Sequence, residues 1–488
     1  MKKKTHTITF NSAIYMIKTI FTMLFPLITI PYVTRIIGVD GYGKVNFISS
    51  IMGYFVLLAS LGISTYGIRE GVRVKNDKKK FDSLVSELFT INIISTIVSY
   101  SFFVLFIFIS DKMQGYLMIA FVLSIKILLQ PLSLEWIYNV FEDYIFITVR
   151  TIIVQIVSLI VLFVIVRNRQ DICQYAIYLV VSSAGINVFN YIYSKKYCTI
   201  KIKCNKNMIY HVMPIFILFF ASIASQIYVN ADTTMLGFMK NDRAVGLYTA
   251  ATNIYNMLRT ILGALITVFS ARLAYMFVDD RKKFNLLFGQ LIQILIMLSV
   301  PISIGCIFLA NDMILILNGG EYLKATTALK ILSIALNFSV VGSFYASSVL
   351  IPSKQEKIIL IATSIGAILN IGLNTIAIKY LGIYGAAITT CISEIVVMII
   401  QIYYSNKFVK NVIGLKSLLK LLPAFLGVYL VCFLANIFWS GWLKIIISFL
   451  GSLIIYFLVL VLTKNPLIYD LKKYMCIIIT LLHIFQHI

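Results

Sequence analysis

Four cations lie inside long apolar runs of this 488-residue chain: Lys18, Lys126, Arg259 and Lys330. A charge held in hydrocarbon costs about 2.5–3.5 kcal/mol on insertion scales, so each should face a cavity or a partner instead of lipid. Their neighbours at helical spacing are polar as well. Asn11, Tyr15, Lys18, Thr22 and Thr29 share one side of a helix, and Lys126, Gln130 and Ser133 form a second stripe. Tyr248, Thr252, Asn256 and Arg259 form a third, and Thr326, Lys330, Ser333 and Asn337 a fourth. Ser222, Gln226 and Thr233 share a further face, with Asn230 and Asp232 beside it. Acids in such runs are fewer, and Glu394 is the one nearest a midpoint. The surplus of buried cations points to an anionic ligand, with Arg35 at the exit of the first run. Against this stands a structural reading, in which Lys18, Lys126 and Arg259 each pair with a carboxylate as packing glue. On that reading Lys330 and Lys379, near helix ends, reach out to the headgroups. Glu135, beside Trp136, reads as an interfacial anchor.

The other chemistry-bearing residues form no centre. The seven cysteines and four histidines show neither disulfide nor zinc spacing. GYGK at Gly41–Lys44 lacks the strand and spacing of a phosphate loop and reads as a turn. No cofactor or metal is expected. With no ATP-binding domain in the sequence, energy must come from an ion gradient, the membrane potential or the substrate's own gradient. Glu394 and Asp232 are the acids placed to couple to protons or sodium.

The elements that position these residues are membrane spans. The chain is 60% hydrophobic and 12% charged, with a mean hydropathy of +0.94, whereas a soluble domain carries about 25% charged residues. A net charge of +23 would suggest nucleic acid in a soluble protein, but the basic residues sit in short loops between apolar runs, so topology accounts for them and no nucleic-acid partner is expected. The reading is an all-α polytopic membrane protein of about fourteen spans. They start near Ser12, Lys44, Glu87, Gly115, Ile145, Ile172, Met208, Ala244, Leu286, Thr326, Ile358, Ile383, Leu421 and Trp442. Alternate loops hold most of the lysines and arginines, which places both termini in the cytoplasm. Met1 to Asn11 reads as the start of a retained first helix, and CIIITLLHIF near the C-terminus is too short to span. No connection leaves room for a folded extramembrane domain. Pro26, Pro31, Pro131 and Pro214 are candidate bending points.

An internal echo organises the spans. TRIIGVDGYGKVNFISSI after span one resembles TTMLGFMKNDRAVGLYTAATNI after span seven, with Gly38 answering to Gly237 and Gly43 to Gly246. Six spans separate the copies, so the halves share one orientation, as in parallel-repeat transporters. The expected domains are residues 1–207 (spans 1–6), 208–406 (spans 7–12) and 407–488 (spans 13 and 14 with a cytoplasmic tail).

Four segments carry a resemblance to a known family. PLITIPYVTRIIGVDGYGKVNFISSIMGYFVLLASLGISTYGIRE resembles the opening of bacterial polysaccharide-repeat flippases, the O-antigen and capsule exporters of the MOP superfamily. SLEWIYNVFEDYIFITVRTII, the stretch from DTTMLGF to VGLYTAATNIYN, and LGIYGAAITTCISEI match in the same order, covering essentially the whole chain. The resemblance implies a MATE-like pair of six-helix lobes with two trailing helices in the inner (plasma) membrane. It implies outward movement of an undecaprenyl-diphosphate-linked oligosaccharide by alternating access. Lys18, Arg35, Lys126, Arg259 and Lys330 would then attract the diphosphate, and Asn11, Tyr15, Thr22, Gln130, Gln226 and Asn256 would line a polar lumen. Membrane lipid would hold the polyprenyl tail, and a polysaccharide polymerase and chain-length regulator are the implied protein partners. A MATE-type drug exporter shares the architecture but handles mostly cationic substrates. A membrane-embedded O-antigen polymerase or ligase would need a large external catalytic loop, and the sequence has none.

Overall fold

The structure, a computed structural model, describes residues 8–205, 208–409 and 419–463. The expected C-terminal interfacial segment lies outside them. The described residues form helices α1 (Ile8–Ser60), α2 (Ile63–Val74), α3 (Lys78–Ile109), α4 (Asp111–Gln114), α5 (Leu117–Leu128), α6 (Glu135–Val140), α7 (Tyr144–Ile165) and α8 (Ile172–Ser194). They continue as α9 (Met208–Met239), α10 (Asp242–Asp279), α11 (Arg281–Leu317), α12 (Thr326–Tyr345), α13 (Glu356–Leu381), α14 (Ile383–Ser405), α15 (Leu422–Phe438) and α16 (Gly441–Leu462). Among the described residues, 12 helices are long and apolar enough to cross a membrane. The starts expected at Ile172, Met208, Thr326 and Ile383 fall on the observed ones.

Two compact units make up the chain. The first comprises residues 1–249, 317–321 and 374–383, and the second comprises 250–316, 322–373 and 384–488.

In the first unit α1 runs for 53 residues, about 80 Å at 1.5 Å per residue, far more than one ~30 Å crossing needs. The spans expected from Ser12 and Lys44 are therefore two parts of one helix. Its break is Gly38, with φ 73° and ψ 176°, whereas Pro26 and Pro31 sit within regular helix. The break frees the amide of Val39, which donates to Glu321 Oε2 at 3.3 Å. Glu321 also accepts from Arg169 Nη2 through both oxygens at 2.9 Å. The Arg169 guanidinium fills the space a side chain at residue 38 would need, 2.6 Å from an ideal Cβ. A carboxylate there caps the exposed helix start.

Close glycine contacts explain the echoed segments. A Cβ at Gly43 would stand 1.8 Å from the Asp242 carbonyl oxygen, and one at Gly246 would stand 2.2 Å from that of Val39. The paired glycines of the two copies thus meet backbone to backbone. Gly67 and Gly71, one turn apart on α2, do the same work against α6, where added Cβ atoms would lie 2.7 Å from the Trp136 ring and 2.8 Å from Val140. Small residues permit this approach between helices. Trp136 and Val140 are buried there with Tyr66, Phe81, Leu88, Ile215 and Phe219.

The connection after α8 forms a strap along α3. Backbone N–H groups of Thr199, Lys201 and Lys203 donate in turn to Asp82 Oδ1, Ser86 Oγ and Thr90 Oγ1 at 3.1, 3.1 and 3.0 Å. Two extended residues advance about 6.6 Å and four helical residues about 6 Å, so the registers match. Asp77 caps α3 by accepting the Lys80 N–H at 3.1 Å, and that bond holds its carboxyl below the usual range.

In the second unit Phe284, Phe288 and Phe344 anchor the core between α11 and α12. α15 and α16 pack together and are tied to α11 by a buried ion pair, Lys444 Nζ to Asp312 Oδ2 at 2.6 Å. Lys444 also reaches Asn436 Oδ1 at 2.6 Å, and the Gly441 amide caps onto Asp312 Oδ1 at 3.1 Å.

Candidate functional site

The fourth apolar run does not form one helix. Pro131 cannot supply a backbone donor, so α5 stops at Leu128, a 3₁₀ turn covers Gln130–Leu132, and α6 begins at Glu135. Backbone freed inside a membrane must be satisfied by protein. Asn187 Nδ2 donates to the Leu129 carbonyl at 3.3 Å, and Asn92 Nδ2 to that of Gln130 at 3.5 Å. Lys126 lies in the last turn of α5 and Glu135 in the first turn of α6, the ends that favour a cation and an anion respectively.

Glu135 is the hub of the first unit's charges. It is 2.7 Å from Arg150 Nη2 on α7 and 3.1 Å from Lys18 Nζ on α1. The residue read as an interfacial anchor therefore neutralises one charge of a pair. Arg150 is 3% exposed, and neither its Nε nor its Nη1 has a hydrogen-bond partner. Two residues earlier on α7, Thr148 Oγ1 donates to the Ile14 carbonyl at 3.2 Å and ties α7 to α1. Lys126 is half-buried, with no ion pair or hydrogen bond to its ammonium among the described residues. Among the described residues, Lys18 and Arg150 thus converge on one carboxylate, Glu135, while Lys126 has none. The other acids buried in this unit are engaged elsewhere. Glu87 binds Ser83, Asn205 and His211. Asp232 accepts from Tyr248 at 2.5 Å and Asn374 at 2.6 Å.

The remaining candidates of this unit are placed as follows. Thr22 is exposed, its hydroxyl turned back to the Lys18 carbonyl at 2.9 Å. Gln130 is half-buried at the break, and Gln226 is half-buried where Gly53 makes room, its amide nitrogen 2.6 Å from an ideal Cβ there. Arg35 is exposed beside Gly319. The side chains of Asn11 and Tyr15 lie outside the described set.

The second unit holds a separate cluster. Glu394, 4% exposed, lies 3.9 Å from Arg259 Nη1 and accepts from the Tyr255 hydroxyl at 3.4 Å. Lys330 and Asn256 are exposed. Arg259 is therefore paired, loosely, with the acid singled out for ion coupling.

Arg150 is the one cation of this cluster that the sequence reading does not single out. Apolar residues flank it on both sides (YIFITV before, TIIV after), and α7 starts at Tyr144, so the signal was the same one that flagged Lys18.

A bundle of apolar helices with an interrupted span and buried, incompletely neutralised cations defines a multi-pass membrane protein of the transporter class. Residues 8–271 match the model of the polysaccharide biosynthesis protein family, and the chain belongs to that family. A Shigella dysenteriae protein assigned as an O-antigen transporter is 21% identical over 78% of this chain and 95% of its own length. The capsular polysaccharide biosynthesis protein CapF of Staphylococcus aureus is 24% identical over 75% and 91%. The fold is that of the lipid II flippase MurJ in an inward closed conformation, with a TM-score of 0.75, 18% identity and coverage of 93% of this chain and all of that one. An inward-facing MATE-family multidrug transporter of the MOP superfamily follows at a TM-score of 0.60 and 14% identity, covering 81% and 95%.

Proposed function

We propose that this protein is a flippase, not an enzyme, that moves an undecaprenyl-diphosphate-linked oligosaccharide from the inner to the outer face of the bacterial inner membrane. The observation that carries this is the cation surplus at the interrupted span: among the described residues Lys126 has no ion pair, and two nitrogens of Arg150 are left without acceptors. A diphosphate is the complement such a site needs, because a charged head cannot enter hydrocarbon unpaired. In the first unit Lys18, Lys126 and Arg150 attract the diphosphate, with Arg35 as an exposed outlying cation; Arg259 and the exposed Lys330 are the second unit's own candidates. Half-buried Gln130 and Gln226 face the sugar, and the polyprenyl tail stays in lipid. Counting the two parts of α1 separately and including the 17-residue α15 gives fourteen crossings, with both termini cytoplasmic and lobes of residues 1–207 and 208–406. The membrane potential supplies direction: with the cytoplasm negative, two uncompensated negative charges moving outward gain about 4–5 kcal/mol at 100 mV. The O-antigen and capsule roles of the relatives suggest that a polymerase and chain-length regulator act next. A drug exporter handling cations is disfavoured by the same surplus.

The test is reconstitution in vesicles with a fluorescent polyprenyl-diphosphate oligosaccharide. Lys126→Ala and Arg150→Met should each lose most flipping while eluting as folded protein. Unchanged rates in both, and in Lys18→Ala, would refute the anion site.

A further inference from the structure

The Met208 end of α9 carries a cluster that the anion site does not use. His211 Nε2 stands 2.9 Å from Glu87 Oε2 on α3, and its Nδ1 stands 2.7 Å from the Tyr66 hydroxyl on α2. Glu87 also accepts from the Ser83 hydroxyl at 2.9 Å and from the Asn205 amide at 3.0 Å, both on Oε1. With three donors converging on a carboxylate, Nε2 carries the hydrogen of the neutral ring, and Nδ1 accepts from Tyr66. The other charged groups around the cluster are Arg69, Glu70 and Arg73 on α2 and Lys203 on the strap, whose Nζ binds Ser83 Oγ at 3.0 Å. His211 is 18% exposed and Glu87 6%, so a proton can reach the ring. Three residues on, Pro214 removes one helical hydrogen bond from α9, which lets the terminal turn shift relative to the rest.

We propose that His211 is a proton-binding site that sets how tightly this end of α9 is clamped to α2, α3 and the strap. A proton taken up at Nδ1 makes that nitrogen a donor to the Tyr66 oxygen, and the Tyr66 hydroxyl hydrogen turns away. The ring becomes an imidazolium, and its contact with Glu87 becomes an ion pair. The clamp therefore tightens on acidification and loosens on deprotonation. An imidazole takes a proton and not sodium, so the ligand of this site is a proton. Where the flippase reading holds, proton load at this end of α9 regulates the flipping cycle.

Hydrogen–deuterium exchange on the purified full chain tests the site without reference to transport. Between about pH 8 and 5, segments 199–205 and 208–213 should gain protection in one step, after correction for intrinsic exchange. His211→Gln, which can still donate to Glu87 but cannot take a proton, should abolish the step. Glu87→Gln, which removes the ion-pair partner, should shrink the step, so the proposal stays testable if one variant fails to fold. A flat wild-type profile, or a step unchanged in both variants, overturns it. In vesicles, wild-type flipping should vary with pH and His211→Gln should lose that dependence; pH-independent wild-type flipping overturns the coupling. An exchange step in protein that flips nothing at any pH would uphold the proton site and sink the flippase reading instead.

Discussion

The three charges around Glu135 predict an order of stabilities that separates structural from functional roles. Glu135→Ala strands Arg150, whose one ion pair among the described residues is with this carboxylate at 2.7 Å and which is 3% exposed. Breaking a buried pair costs about 3–5 kcal/mol. The carboxylate side chain is 34% exposed, so solvent screening reduces this to roughly 2–3 kcal/mol. Lys18→Ala removes the 3.1 Å contact and leaves Glu135 with Arg150, a loss of about 0–1 kcal/mol from that pair. Arg150→Met removes the buried charge itself and leaves Glu135 with Lys18, which should be nearly neutral. Thermal unfolding of the purified chain should therefore place Lys18→Ala and Arg150→Met close to wild type. Glu135→Ala should fall a few degrees lower, since 1 kcal/mol moves the midpoint of a 150–250-residue domain about 2–4 °C and a longer chain less. Adding Arg150→Met to Glu135→Ala should restore most of the loss. Lys18→Ala as destabilising as Glu135→Ala, or a double variant no better than Glu135→Ala, would refute the reasoning. With that order established, loss of flipping in Lys18→Ala measures ligand binding and not folding.

Other outcomes follow from the backbone and the loops. Gly38→Ala must hold a side chain at φ 73° while displacing Arg169 from Glu321, so thermal unfolding should show a loss on the order of 1–3 kcal/mol. Gly43→Val meets the Asp242 carbonyl, which cannot move aside, so membrane fractions should contain little folded protein. Cys204 is exposed and Cys198 is buried, its thiol pushed up to about 12 by burial and by Asp82. An impermeant maleimide should therefore label wild type more than Cys204→Ser only after permeabilisation, and an equal difference in intact cells would place the loop outside. Asp77 and Asp171 are held below the usual carboxyl range by backbone N–H groups. Their stabilisation is present above the unfolded value of about 3.9 and is lost as pH falls through the lower folded value. Acid unfolding midpoints should therefore shift upward in Asp77→Ala and Asp171→Ala.

Much of this site was visible in the residues, for a reason that also sets the limit. Hydrocarbon makes a charge conspicuous, so Lys18, Lys126, Arg259 and Glu394 stand out in the sequence, and apolar runs mark most span starts, although Lys44 falls inside α1 and Glu87 well inside α3. Partners are another matter, because pairing is decided by how helices rotate against each other. Glu135 lies 117 residues from Lys18, and nothing in its own neighbourhood separates an anchor at the interface from a hub between α1 and α7. The break at Gly38 was similarly hidden. Prolines advertise kinks, yet Pro26 and Pro31 are accommodated in helix, while Gly38 breaks because the following amide finds Glu321, 282 residues away in sequence.

Arg150 shows how the two levels must be joined. Counted by charge it belongs with the loop, yet α7 begins six residues earlier and buries it. Its burial is tolerated because Glu135 reaches it, and Glu135 reaches it because Pro131 ends α5 and lets α6 start afresh. Asn187 and Asn92 add side-chain donors to the Leu129 and Gln130 carbonyls, which also accept the Leu132 and Ser133 amides at 3.2 and 2.9 Å. An interrupted span is costly unless every freed group is met, and here backbone carbonyls are met while two guanidinium nitrogens are not. On the proposed reading, those two nitrogens of Arg150 are the donors an anion would meet.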